Sequence, residues 1–177
     1  MTESTENNLN KLIQRLKNAD SKYANIVKGV QAIYWVLVPL YLILIVIHLF
    51  NNDPFTEVIG SACFLSGMLI FAFLMRYYYK TYSKVDYSLP TLQMLKKAAY
   101  RHKLFQWQAL WALLAILFID AGLVLNHTGD GNIWQTQIWF APVLGLSFLV
   151  GVIWWYIQFK PLRDQALTLI AEIEGDD

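Results

Sequence analysis

One cysteine, Cys63, stands in the whole 177-residue chain, so neither an intramolecular disulfide nor a thiolate metal cluster can be built within it. Catalytic signatures are missing too. The chain has no His-Glu-x-x-His, glycine-rich phosphate loop or nucleophile elbow, which favours a non-enzyme. Its three histidines, His48, His102 and His127, are scattered, and His102 is expected on the opposite side of the apolar segments from the other two, so no paired-histidine haem site follows. No cofactor and no metal are expected. Long polar stretches are scarce, because four apolar runs consume nearly half of the chain and leave no room for a separate soluble domain. A cleavable signal peptide is not expected either: 29 mostly polar residues precede the first run, and no small-residue cleavage pattern follows a short apolar core.

The most informative absence is that of Lys and Arg from two of the three connections between those runs. Residues 1–29 hold five of the fourteen basic residues, residues 76–103 hold seven, and Lys160 and Arg163 complete the set, whereas Phe50 to Glu57 and Asn126 to Thr136 hold none. Basic segments resist translocation. The sequence therefore predicts an all-α membrane protein, a four-helix bundle with both termini in the cytoplasm. The expected transmembrane helices are 30–50, 58–79, 104–125 and 134–159, each near the roughly 20 residues a bilayer requires. Around them lie an amphipathic cytoplasmic arm (1–29), a basic loop with a helix (80–103) and an acidic tail (160–177). The outward turns carry only acids, Asp53, Glu57 and Asp130. Trp35, Tyr77 to Tyr79, Trp107, Trp111 and Trp154 to Tyr156 near the inner ends, with Trp134 and Trp139 at the outer end, suit interfacial anchors. Small residues four apart (Ala62 and Ser66, Ala141 and Gly145, Ser147 and Gly151) suit close helix packing, within the bundle or in a homodimer.

The polar segments carry stripes of their own. Leu9, Leu12, Leu16, Ala19, Tyr23, Ile26 and Val30 follow alternating steps of three and four, the heptad pattern of a coiled coil, although Asn18 to Ser21 and Gly29 weaken a helix intrinsically. Leu162, Ala166, Leu169 and Ile173 repeat the spacing in a tail with five carboxylates. A basic arm entering the membrane and an acidic tail leaving it are expected to pair antiparallel. The candidate interaction surface is Leu9, Leu12, Leu16, Tyr23, Ile26, Leu162, Leu169 and Ile173; the alternative is that each helix lies separately on the lipid surface. In the central segment Ser88 is the expected N-cap of a helix with Pro90 in its first turn. Its stripe is Leu92, Leu95, Ala99 and Leu89. Its bases Lys96, Lys97, Arg101 and Lys103 fit lipid headgroups, and no nucleic-acid motif accompanies them.

Asp120 is the one formal charge well inside an apolar run, about 7.5 Å from its outer end at helical rise. A carboxylate there must be paired, protonated or wetted. His48, expected at similar depth, is the leading partner, and the pair is a candidate intramembrane polar site. A hydrogen bond to a neighbouring helix is the structural alternative.

Residues 77–103, Tyr-Tyr-Tyr-Lys-Thr-Tyr-Ser-Lys-Val-Asp-Tyr-Ser-Leu-Pro-Thr-Leu-Gln-Met-Leu-Lys-Lys-Ala-Ala-Tyr-Arg-His-Lys, resemble the central loop of small uncharacterised four-span membrane proteins of Bacteroidota-type bacteria. The resemblance implies a bacterial inner-membrane location. It also implies regulation, since such proteins are similar to ones encoded beside sigma-factor genes. Two functions stay open: a non-enzymatic regulatory or scaffolding protein presenting a cytoplasmic helical platform to a protein partner, or a small transporter or channel-like subunit using Asp120 with His48.

Overall fold

The computed structural model describes residues 3–126 and 133–175, and among these every regular element is a helix. In chain order they are α1 (Glu3–Phe50), α2 (Phe55–Ser83), α3 (Thr91–Arg101), α4 (Ala109–Asn126), α5 (Ile133–Gln158) and α6 (Lys160–Gly175). Four of them, α1, α2, α4 and α5, are long and apolar enough to cross a membrane. His127 and Asp130 lie outside the described residues. The chain divides into two compact units: residues 1–25, 80–105 and 148–177 form the first, and residues 26–79 and 106–147 the second.

The first unit has a core drawn from three helices. Leu9, Leu12 and Leu16 of α1, Met94, Leu95, Ala98 and Ala99 of α3, and Leu162, Ala166, Leu169 and Ile170 of α6 are buried together, with Ile13, Leu89, Leu92 and Ile173 packed at the edge. Leu16 and Leu95 are fully enclosed, and burying a side chain of that size contributes about 1.5–3 kcal/mol. Lys96, midway along α3, meets Glu174 near the C-terminus of α6, and the ring of His102 at the α3 C-cap stacks on Phe159 just before α6 begins, so α3 and α6 run antiparallel. The arm and tail thus share a core, as the apolar stripes predict, with α3 as a third member.

The stripe on α1 departs from the heptad register. Its buried positions are 9, 12, 16, 20, 24 and 27, with three successive steps of four. A strict 3.5-residue repeat drifts around a straight helix by about 20° per heptad, and the repeated step of four corrects that drift. Asp20, Ala24 and Val27 are the buried positions there; Ala19 still packs against the core and Tyr23 against Tyr82 and Phe159, whereas Ile26 is exposed. The helix also runs unbroken through Asn18 to Ser21 and Gly29, because burial of one face outweighs propensity differences of less than about 1 kcal/mol per residue.

Helix ends differ from expectation at two places. Ser88 does not cap α3: its N–H and hydroxyl both donate to Asp86 Oδ1, at 2.9 and 2.6 Å, and the helix starts at Thr91. Those bonds hold the Asp86 carboxyl below its usual range. At α4, helix begins only at Ala109, after the turn bonds Ala109 N–H to Gln106 O and Leu110 N–H to Trp107 O. Apolar Leu104 and Phe105 therefore belong to the connection between α3 and α4, since apolar composition does not distinguish helix from connector.

In the second unit α2 and α4 approach closely. A Cβ at Gly122 would meet the Gly60 carbonyl oxygen at 2.9 Å, and one at Gly67 would meet the Ala115 carbonyl at 3.0 Å. The expected small positions on α5 do not serve this way; Gly145 and Gly151 have open space around them. Tyr34 stacks on Phe71 and Tyr41 on Phe64, joining α1 to α2.

Candidate functional site

Asp20 is 1% exposed and carries the centre of a polar cluster inside the first unit. Its Oδ2 accepts from Arg101 Nη2 at 2.9 Å and from the Tyr87 hydroxyl at 2.6 Å. Its Oδ1 lies 3.3 Å from His102 Nε2. Arg101 is the last residue of α3 and His102 its C-cap, so one helix end delivers both side chains to Asp20 on α1. The remaining walls are aromatic. His102 stacks on Phe159 with centroids 5.1 Å apart, Tyr23 packs edge-on against Tyr82 and Phe159, and Trp155 Nε1 donates to the His102 carbonyl at 2.8 Å. Trp155 is thus a hydrogen-bond donor to the α3 C-terminus.

This enclosure has electrostatic consequences. Burial pushes the His102 imidazole down to about 4, because desolvation disfavours its charged form; Asp20 opposes the shift and Arg101 adds to it. Burial and the bond to Asp20 push the Tyr87 hydroxyl well above its ordinary range. At neutral pH the imidazole and the phenol of the cluster are both neutral. No nucleophile activated by a base is among them, and the arrangement joins three chain segments without a reactive centre.

Beside it, a groove of about 470 Å³ opens between α1 and α6. Asn8, Lys11, Leu12 and Arg15 line one wall, and Asp164, Gln165, Thr168, Leu169 and Glu172 line the other. One wall is basic and the other acidic, with the buried Leu12 and Leu169 lining the groove between them.

The intramembrane candidates are not brought together. Asp120 Oδ1 accepts from Gln137 Nε2 of α5 at 2.6 Å, and His48 Nδ1 lies 2.8 Å from Asp53 Oδ2 and 3.6 Å from Glu57 Oε2. No ion pair joins Asp120 to His48 among the described residues. Of the candidate interaction surface, Leu9, Leu12, Leu16, Leu162 and Leu169 are core, Ile173 packs against it, and Tyr23 belongs to the aromatic wall. The sequence reading missed Asp20 and Tyr87; the signal available was an acid four residues beyond Leu16, on the face that Leu12 and Leu16 define. Comparison with protein-family models, curated proteins and solved structures finds no match to this chain.

Proposed function

We propose that the protein is a non-enzymatic, multi-pass membrane protein that serves regulation or scaffolding, with its first unit as a cytoplasmic docking platform for a protein partner. The observation that carries this reading is the organisation of that unit: a closed apolar core, locked by the buried Asp20 cluster, beside a two-signed groove. A rigid helical unit with no reactive centre and one open, chemically patterned groove suits recognition of a helix bearing charges of both signs. The division of basic residues supports a cytoplasmic location for all three segments of the unit, and the resemblance of residues 77–103 supports a bacterial inner membrane. A transporter reading finds less support. Asp120 is engaged by Gln137, and paired broken helices of the kind that build transporter sites are lacking among the described residues.

The test is site-specific photocrosslinking in intact cells, with a photoreactive phenylalanine analogue at Lys11, Arg15 or Thr168. A discrete adduct from these groove positions, missing when the analogue replaces exposed Trp134 or when Leu16→Asp opens the core, is the expected result. Silence at all three groove positions, with the protein inserted and folded, refutes the platform.

A further inference from the structure

The turn between α1 and α2 holds a second cluster, in the second unit and unrelated to the proposed platform. His48 lies in the last turn of α1, Asp53 in the connection and Glu57 in the first turn of α2. One ligand atom from each lies within 4.8 Å of the other two, and His48 Nδ1 is 2.8 Å from Asp53 Oδ2 and 3.6 Å from Glu57 Oε2. We propose that these three side chains form a binding site for a first-row divalent cation, with Zn²⁺ the ion that their donor set fits best.

Geometry is the first support. A tetrahedral ion with bonds of about 2.0–2.1 Å holds its ligand atoms about 3.3–3.4 Å apart. The Nδ1 to Oδ2 and Nδ1 to Oε2 separations, 2.8 and 3.6 Å, bracket that spacing, so small rotations of the side chains bring all three donors onto one centre. Three protein ligands with a water in the fourth position make a site open on one side. The partial exposure of the three side chains, 23%, 29% and 38%, leaves room for that water.

Charge is the second. Two carboxylates face one imidazole nitrogen, and a single N–H cannot serve both oxygens well. The segment from Phe50 to Glu57 contains no Lys or Arg, and among the described residues no other cation forms an ion pair with either acid. A divalent ion neutralises both carboxylates together. The imidazole selects among ions, because nitrogen donors suit Zn²⁺ and its neighbours whereas Mg²⁺ and Ca²⁺ favour all-oxygen sets.

The backbone holds the donors in place without the ion. Asn52 takes a left-handed conformation (φ 55°), and Asp53 N–H bonds to the His48 carbonyl at 3.1 Å, six residues closing a helix C-terminus in the Schellman manner. Glu57 N–H bonds to the Pro54 carbonyl at 2.9 Å. Asn52 tolerates that backbone better than most residues. The ion would therefore tie the end of α1 to the start of α2 by closing a preformed turn.

The experiment uses full-length protein in detergent, stripped with chelator and titrated with Zn²⁺ against a competing fluorescent zinc indicator. Thermal unfolding is followed in parallel. The expected result is one equivalent bound at micromolar Kd or tighter and a rise in Tm with Zn²⁺. His48→Gln and Asp53→Asn should each weaken binding at least tenfold, Asp120→Asn should leave it unchanged, and Mg²⁺ should not compete at millimolar concentration. Absence of binding at 100 µM Zn²⁺ overturns the proposal. So does binding that survives His48→Gln and Asp53→Asn but is lost in His127→Gln. Because a variant could fail through misfolding, Asp53→Asn must keep a monodisperse elution profile and its ion-free Tm while losing the Zn²⁺-dependent rise.

Discussion

Replacing Asp20 with alanine separates a buried ion pair from a decorative one. The Asp20 side chain is 2% exposed and that of its partner Arg101 13%, so Asp20→Ala takes a buried carboxylate away from a largely buried guanidinium, and the Tyr87 hydroxyl loses its bond to Asp20 as well. Breaking a buried pair from one side costs about 3–5 kcal/mol. Exposed pairs are worth about 0–1 kcal/mol, which is the expectation for Lys96 and Glu174, 55% and 48% exposed despite a 2.6 Å contact. A reporter cysteine at Ala98, fully enclosed in the same core, reads the difference in a Cys63→Ser background. Its maleimide reaction rate follows the fraction of time the unit is open. At about 1.4 kcal/mol per decade, Asp20→Ala should accelerate labelling by roughly two to nearly four orders of magnitude, up to the rate of a fully exposed thiol. Asp20→Asn keeps an acceptor for Tyr87 and should fall between wild type and alanine, while Lys96→Ala should change the rate less than about fivefold. An Asp20→Ala rate within threefold of wild type would refute the assignment of Asp20 as the clasp of the unit.

The same reporter tests His102. Its folded-state value is about 4 against an ordinary 6.5, so the unfolded chain takes up a proton that the folded unit refuses; stability is full above pH 6.5 and declines as pH falls from 6.5 towards 4. The loss over that window should be on the order of 3 kcal/mol, seen as labelling that accelerates relative to an exposed reporter thiol at the same pH, because the reactive thiolate itself becomes scarcer as pH falls; His102→Gln should largely flatten that ratio. At Asp120, Asn retains an acceptor for Gln137 whereas Leu leaves that amide unsatisfied, at about 1–3 kcal/mol. Thermal unfolding in detergent should therefore rank wild type and Asp120→Asn close together and Asp120→Leu clearly lower, and the reverse order would discard the hydrogen-bond role.

Much of this architecture was legible because lipid-spanning helices declare themselves by composition. Four apolar runs correspond to four helices, and the stripes on the arm, tail and central segment correspond to one core. The polar interior was not legible, for a definite physical reason. Asp20 is bonded to residues 67 and 81 positions away, and local periodicity carries no information about such partners. The heptad assumption hid it further, placing Ala19 and Tyr23 inward and Asp20 beside the seam. His48 was expected at the depth of Asp120 by counting residues along helices, but a side chain bonds to what its turn presents, and here that is Asp53.

The three segments of the first unit, residues 1–25, 80–105 and 148–177, are separated in the chain by the apolar helices of the second. Its core therefore cannot close before α6 has been made. Some 70 residues separate the end of α3 from the end of α6, and at roughly 5–20 residues per second Leu12, Leu16 and Leu95 must wait on the order of 4–15 s for Leu162 and Leu169 to arrive. During that interval the nascent protein displays an uncovered apolar face, and a chain cut short within α5 displays it permanently. The sixteen residues of α6 thus act as a cover: until they have been made, the apolar face of α1 and α3 stays within reach of the chaperones and membrane proteases that are built to find such surfaces.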